Sequence, residues 1–192
     1  MKTKTALALL SFMAPASAHH FMGDEVPRTW IEGFLSGLGH PLIGADHLAF
    51  IVAAGFFAAL MARGLWGIAA LIAGSLAGAA LHLAGVELPG GEAAIAVSVI
   101  IVAALVLARS SVELQWLIGG MALAGVLHGH AYAESIFGAE PAPLAAYLAG
   151  FSLIQLVVAT AAFMVHGRLP RAAVTAVGGA AAVIGVFFLI GA

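Results

Sequence analysis

The sequence predicts an all-α protein, a polytopic membrane helix bundle with six transmembrane helices after an N-terminal signal peptide. Three observations predict it. Of 192 residues, 63% are hydrophobic and 8% charged, with a mean hydropathy of +1.12. A soluble domain of this length has too little interior to hide so much apolar surface, so lipid must cover much of it. The apolar residues fall in long runs divided by short polar connections. Those runs are also rich in Gly, Ala and Ser, the small residues that let helix backbones approach closely inside a bilayer. The formal net charge of −2 and the absence of a basic cluster argue against a nucleic-acid partner. With no cysteine, disulfides, thiolate metal sites and thiol catalysis are all excluded.

Each element follows in order. Residues 1–18 read as a signal peptide: Lys2 and Lys4 form the basic start, 6–14 a short apolar core, and Ala16-Ser17-Ala18 the small-x-small cleavage pattern. Residues 19–192 then form a single membrane domain, beginning outside the cytoplasm with His19 and His20, near Asp24 and Glu25. Spans of about 20 apolar residues are expected over 41–62, 65–85, 93–108, 112–131, 143–165 and 172–190. Pro41 suits a first helical turn, and residues 33–39 read as a preceding interfacial turn with Trp30 as a headgroup-level anchor. Gly74 and Gly78 make a GxxxG step, and Gly119, Gly120, Gly125, Gly178, Gly179 and Gly185 continue the small-residue theme.

The connections set the orientation. Arg63, Arg109 and the pair Arg168 and Arg171 fall in alternate loops, which the positive-inside rule assigns to the cytoplasm. Glu87, Glu92 and Glu140 mark the other loops. Both mature termini are therefore expected on the periplasmic side of the bacterial inner membrane.

That orientation turns scattered polar residues into a layer. His40, Asp46 and His47 lie near the outer end of span one, His82 near that of span two, and His128, His130 and Glu134 at that of span four. An ionisable group inside a bilayer is costly unless paired, hydrated or bound to a cation. Imidazole and carboxylate are the donors that borderline divalent metals accept. On one continuous helix His40 and His47 would stand about 20° apart, with Gly44 leaving room between them. Asp46 points elsewhere, as a ligand or as an acceptor orienting a histidine. His130 and Glu134 are i,i+4 neighbours, as are His128 and Tyr132. The expectation is one shared metal site of His40, Asp46, His47, His82, His128, His130 and Glu134. Gln155 either lines a path or bonds a neighbouring helix, and His166 reads as interfacial.

The stretch from His40 to Leu48 resembles the HxxxxxDH signature of the HupE/UreJ nickel and cobalt permeases. His128-Gly129-His130-Ala131-Tyr132-Ala133-Glu134, with the following residues through Leu144, resembles that family's second motif. The resemblance implies secondary import of Ni²⁺, in some members Co²⁺, often feeding hydrogenase or urease maturation. It carries the family's motif residues onto His40, Asp46, His47, His128 and Glu134. Some relatives have His and Gly where this chain has Tyr132 and Ala133, which makes His130 the better ligand candidate. His82 joins the set on layer geometry alone.

The expected function is thus import of a divalent cation through a His/Asp/Glu site near the periplasmic face, with lipid and metal ion as partners and no prosthetic cofactor. Binding should weaken as pH falls towards the ordinary histidine pKa of about 6.5, because ligands must be deprotonated. No GxxxxGK[ST] motif is present, which argues against direct ATP drive. The membrane potential, about 2.3 kcal/mol per charge per 100 mV, favours inward cation movement. Two alternative chemistries use the same residues: an intramembrane metal-dependent hydrolase, and a haem-binding electron carrier with paired histidines. The hydrolase lacks HExxH, and the nearby acids suit a hydrated cation better than haem.

Overall fold

The computed structural model describes residues 26–88 and 90–192. The expectations for the signal peptide, His19, His20, Asp24 and Glu25 lie outside those residues. The described chain forms seven helices: α1 (Trp30–Ile43), α2 (Ala45–Ala58), α3 (Leu65–Leu83), α4 (Gly91–Leu107), α5 (Leu114–Glu134), α6 (Pro141–His166) and α7 (Arg171–Gly191). Three of them, α3, α6 and α7, are long and apolar enough to cross a membrane, and α1 with α2 passes the same test as one broken span. The 17-residue α4 is shorter. The 21-residue α5 is diluted by Gln115 and its histidines.

The first expected span is corrected. Residues 33–39 are not a turn: α1 begins at Trp30, where Thr29 accepts from Glu32 N–H at 3.2 Å and Glu32 accepts from Thr29 N–H at 3.1 Å. This reciprocal cap satisfies two otherwise unpaired donors and fixes the start. Pro41 lies inside α1 near its C-terminal end rather than in a first turn. There its missing N–H leaves the Gly37 carbonyl without the usual i−4 donor.

Helix α2 occupies the middle of the bundle, with ten of its 14 residues buried, and packs against α4, α6 and α7. Around it the closest pairs are α3 with α5, α1 with α6, and α4 with α7. Glycine makes these approaches possible. A Cβ on Gly74 or Gly78 would run into the Ala122 or Val126 carbonyl of α5, and one on Gly125 or Gly129 into the Leu71 or Ser75 carbonyl of α3. The same reciprocity joins Gly33 and Gly37 of α1 to Pro143 and Tyr147, and Gly150 of α6 to Phe34. Gly119, Gly120 and Gly179 meet nothing and take no part in packing. Trp30, Trp66 and Trp116 stand exposed at the starts of α1, α3 and α5, as aromatic residues do at a membrane interface.

Candidate metal centre

The first histidine motif is cut in two by the fold. Gly44 is extended (φ −67°, ψ 107°) between α1 and α2, which meet at an angle of 79°. His40 and His47 therefore do not share one helix face, as a continuous span would require. The bend brings them together by another route, with ring centroids 5.7 Å apart. Any residue can adopt the φ of Gly44; what demands glycine is crowding. A Cβ there would lie 2.6 Å from His47 Cδ2 and 3.3 Å from Asp46 Oδ1, because both side chains fold back over it.

His128 of α5 completes this group. It is fully buried, its ring stacks on Phe50 with centroids 4.1 Å apart, and its Nδ1 lies 2.9 Å from His47 Nδ1. Its Nε2 stands 2.9 Å from Ser98 Oγ, whose own hydrogen goes to the Ile95 carbonyl at 2.7 Å. Ser98 therefore accepts from the His128 Nε2–H. That fixes the tautomer and leaves the Nδ1 lone pair aimed at His47, which donates across the gap.

His40 is anchored on the other side. Its Nδ1 is 3.1 Å from Ser135 Oγ, which lies 2.8 Å from the Tyr147 hydroxyl; Tyr147 donates to the Tyr132 carbonyl at 2.7 Å. The buried Tyr132 ring packs edge-on against His40 and His47, at 5.3 and 4.7 Å between centroids. Among the described residues, Asp46 Oδ1 and the Tyr132 hydroxyl are buried without a hydrogen-bond partner. An unsatisfied buried polar atom costs about 1–3 kcal/mol, and more when it is charged.

His82, His130 and Glu134 do not join this group. His128 and His130 are two residues apart and so point about 200° apart around α5. Their ligand atoms with those of His82 and Glu134 sort accordingly: His82, His130 and Glu134 lie within 4.8 Å of one another. His82 Nδ1 is 3.4 Å from His130 Nε2, which donates to the Val86 carbonyl at 2.8 Å. Local sequence sets that carbonyl in place. Gly85 takes a left-handed φ of +79° after α3, and the Val86 N–H returns to the Leu81 carbonyl at 3.0 Å while Gly85 N–H bonds His82 at 2.9 Å. This glycine-ended cap turns the chain back towards α5.

The expected single site is thus two groups on opposite faces of α5. Tyr132, set aside in favour of His130, belongs to the buried group, and His130 to the other. Ser98, Ser135 and Tyr147 were not among the expected site residues. A lone hydroxyl within the hydrocarbon run of α4 was the only signal for Ser98. Gln155 bonds a neighbouring helix: its Oε1 accepts from Ser75 of α3 at 3.0 Å. His166 packs against Phe56 at the far end of α6 from Tyr147, with centroids 5.5 Å apart.

A sequence model of the family described as HupE / UreJ protein matches residues 7–188. The chain is 27% identical over 194 residues to Protein HupE of Rhizobium leguminosarum bv. viciae, covering 99% of this chain and 98% of that protein. No solved structure matches it.

Proposed function

The chain belongs to the HupE/UreJ family, and we propose that it imports a divalent transition-metal cation, Ni²⁺ or Co²⁺, using His40, Asp46, His47 and His128 as the transit site. The observation that carries this reading is Asp46 Oδ1, a buried carboxylate oxygen near the His47 ring with no hydrogen-bond partner among the described residues. A cation supplies what that oxygen lacks, and nitrogen with oxygen donors suits a borderline divalent ion.

His47 and His128 supply the nitrogen grip. Their Nδ1 atoms stand 2.9 Å apart, about the spacing of adjacent ligands on one ion with bonds near 2.05 Å. For the ion to take the place of the hydrogen between them, His47 must release that hydrogen from Nδ1. Ser98 keeps His128 in the tautomer that presents its lone pair. Asp46 offsets charge, and His40 closes the far side, steadied by Ser135. Four protein groups, only one of them anionic, hold a dication less firmly than a structural site does, which suits an ion that must leave again.

In this reading the chain crosses the bacterial inner membrane six times, with α4 and α5 completing the set and both mature termini periplasmic. The membrane potential drives the ion inward, towards assembly of a nickel enzyme such as a hydrogenase or urease. Radiotracer uptake of Ni²⁺ and Co²⁺ into cells lacking other importers tests it. Asp46→Asn and His47→Ala should abolish uptake at normal membrane abundance; undiminished uptake in both variants removes these residues from the path.

A further inference from the structure

The second group has the makings of a site of its own. His82 and His130 come from different helices, α3 and α5, and their rings meet edge-on with centroids 4.6 Å apart. The 3.4 Å between His82 Nδ1 and His130 Nε2 is the separation of two nitrogens held by one tetrahedral ion at about 2.05 Å. Glu134 stands one helical turn beyond His130 and brings a carboxylate oxygen within 4.8 Å of a ring nitrogen of each histidine. The Val86 carbonyl, 2.8 Å from His130 Nε2, adds a neutral oxygen. The His130 Nε2 hydrogen points to the Val86 carbonyl, and a tautomer shift to Nδ1 would free that nitrogen for an ion.

Accessibility separates this group from the buried one. Glu134 is exposed and His82 half-buried, whereas His128 is fully enclosed and His40, Asp46 and His47 are each at most 8% exposed. Exposed Glu134 is open to an arriving hydrated ion, whereas the ligands of the buried group are enclosed. Phe137 backs His82 with centroids 5.7 Å apart, giving the ring an apolar support.

We propose that His82, His130 and Glu134, with the Val86 carbonyl, form a second divalent-cation site, distinct from the buried cluster and filled before it. The ligand set is two imidazole nitrogens and two oxygens, which suits Ni²⁺, Co²⁺ or Zn²⁺ over Mg²⁺ or Ca²⁺. That it binds an ion is independent of the import reading; that it loads the buried site rests on it.

The test uses purified full-length protein in detergent micelles, titrated with Co²⁺ and followed by visible absorption and equilibrium dialysis. Wild type should bind two equivalents. His82→Gln and Glu134→Gln should each bind one, and Asp46→Asn should keep the site at His82. Binding that both His82→Gln and Glu134→Gln retain in full with an unchanged spectrum, whether wild type takes one equivalent or two, overturns the second site. In cells, His82→Gln should raise the metal concentration for half-maximal uptake about tenfold at an unchanged maximal rate; an unshifted half-saturation overturns the loading role. Two-site binding without uptake by wild type would end the import reading while leaving this site standing.

Discussion

Two histidines on α5, His128 and His130, are separated by one glycine and live in opposite surroundings. His128 faces inward, is fully buried and is held by a serine from α4; His130 faces α3 and is held by a backbone carbonyl beyond the end of that helix. Both groups combine imidazoles with a carboxylate, and they differ most in what surrounds them. Inside, the hydroxyls of Ser98, Ser135 and Tyr147 orient the rings, and among the described residues the acid of the group is Asp46. At the helix ends, a peptide oxygen holds His130, and an exposed acid stands close by within reach of water. The lesson is that rotation about a helix, rather than depth along it, decides which imidazoles act together.

The comparison is broken most severely at Gly44. Gly44→Ala places a methyl 2.6 Å from His47 Cδ2, so the His47 ring must swing out of its position beside His128. Nickel uptake should fall at least tenfold, while Co²⁺ binding at His82 and His130 is unaltered. Equal loss at both groups would mean that they are not separate. The next effect is at Ser98. Ser98→Ala removes the acceptor for the His128 Nε2–H and should weaken Co²⁺ binding at the buried group by about 10–100-fold, as loss of a ligand's orienting partner commonly does. Ser98→Thr, which keeps the hydroxyl, should restore it, and neither change should touch the exposed group. Dialysis against graded Co²⁺ reads both outcomes.

The smallest effect concerns the seam that holds α5 against α3. Gly129→Ala drives a methyl into the Ser75 carbonyl and should cost about 1–3 kcal/mol of stability. Gly119→Ala, facing open space on the same helix, should stay within about 0.5 kcal/mol. Thermal unfolding in detergent compares them. Similar midpoints for the two variants would mean that the close approach of α3 and α5 is not what fixes the two faces of α5.

Much of the helical layout was legible because apolar runs are long and their breaks carry strong signals. Pro141 and Pro170 mark the starts of α6 and α7, and the Arg63 and Arg109 connections mark the ends of the preceding runs. The exception is the first span. Residues 41–62 are apolar throughout, and hydropathy has no term for a helix that stops at Gly44 because two side chains need the space of its missing Cβ. The Thr29–Glu32 cap was written in the sequence as T-x-x-E, and reading it would have set the start of α1 correctly. For the site, residue types were legible and grouping was not. Similar depth collected seven candidate ligands into one layer, yet the roughly 200° between His128 and His130 already placed them on different faces. Which helix stands opposite each face depends on contacts between Gly74 and Ala122, or Gly37 and Tyr147, that no local pattern specifies.

The break at Gly44 has one more consequence. His40 is carried by one rigid rod and His47 by another, so the spacing of the two imidazoles is governed by a single joint, as the tips of tweezers are governed by their hinge. Opening that angle slightly spreads the tips and loosens whatever they hold; closing it tightens them. On the proposed import reading, capture and discharge of the cargo would correspond to two settings of that one backbone joint.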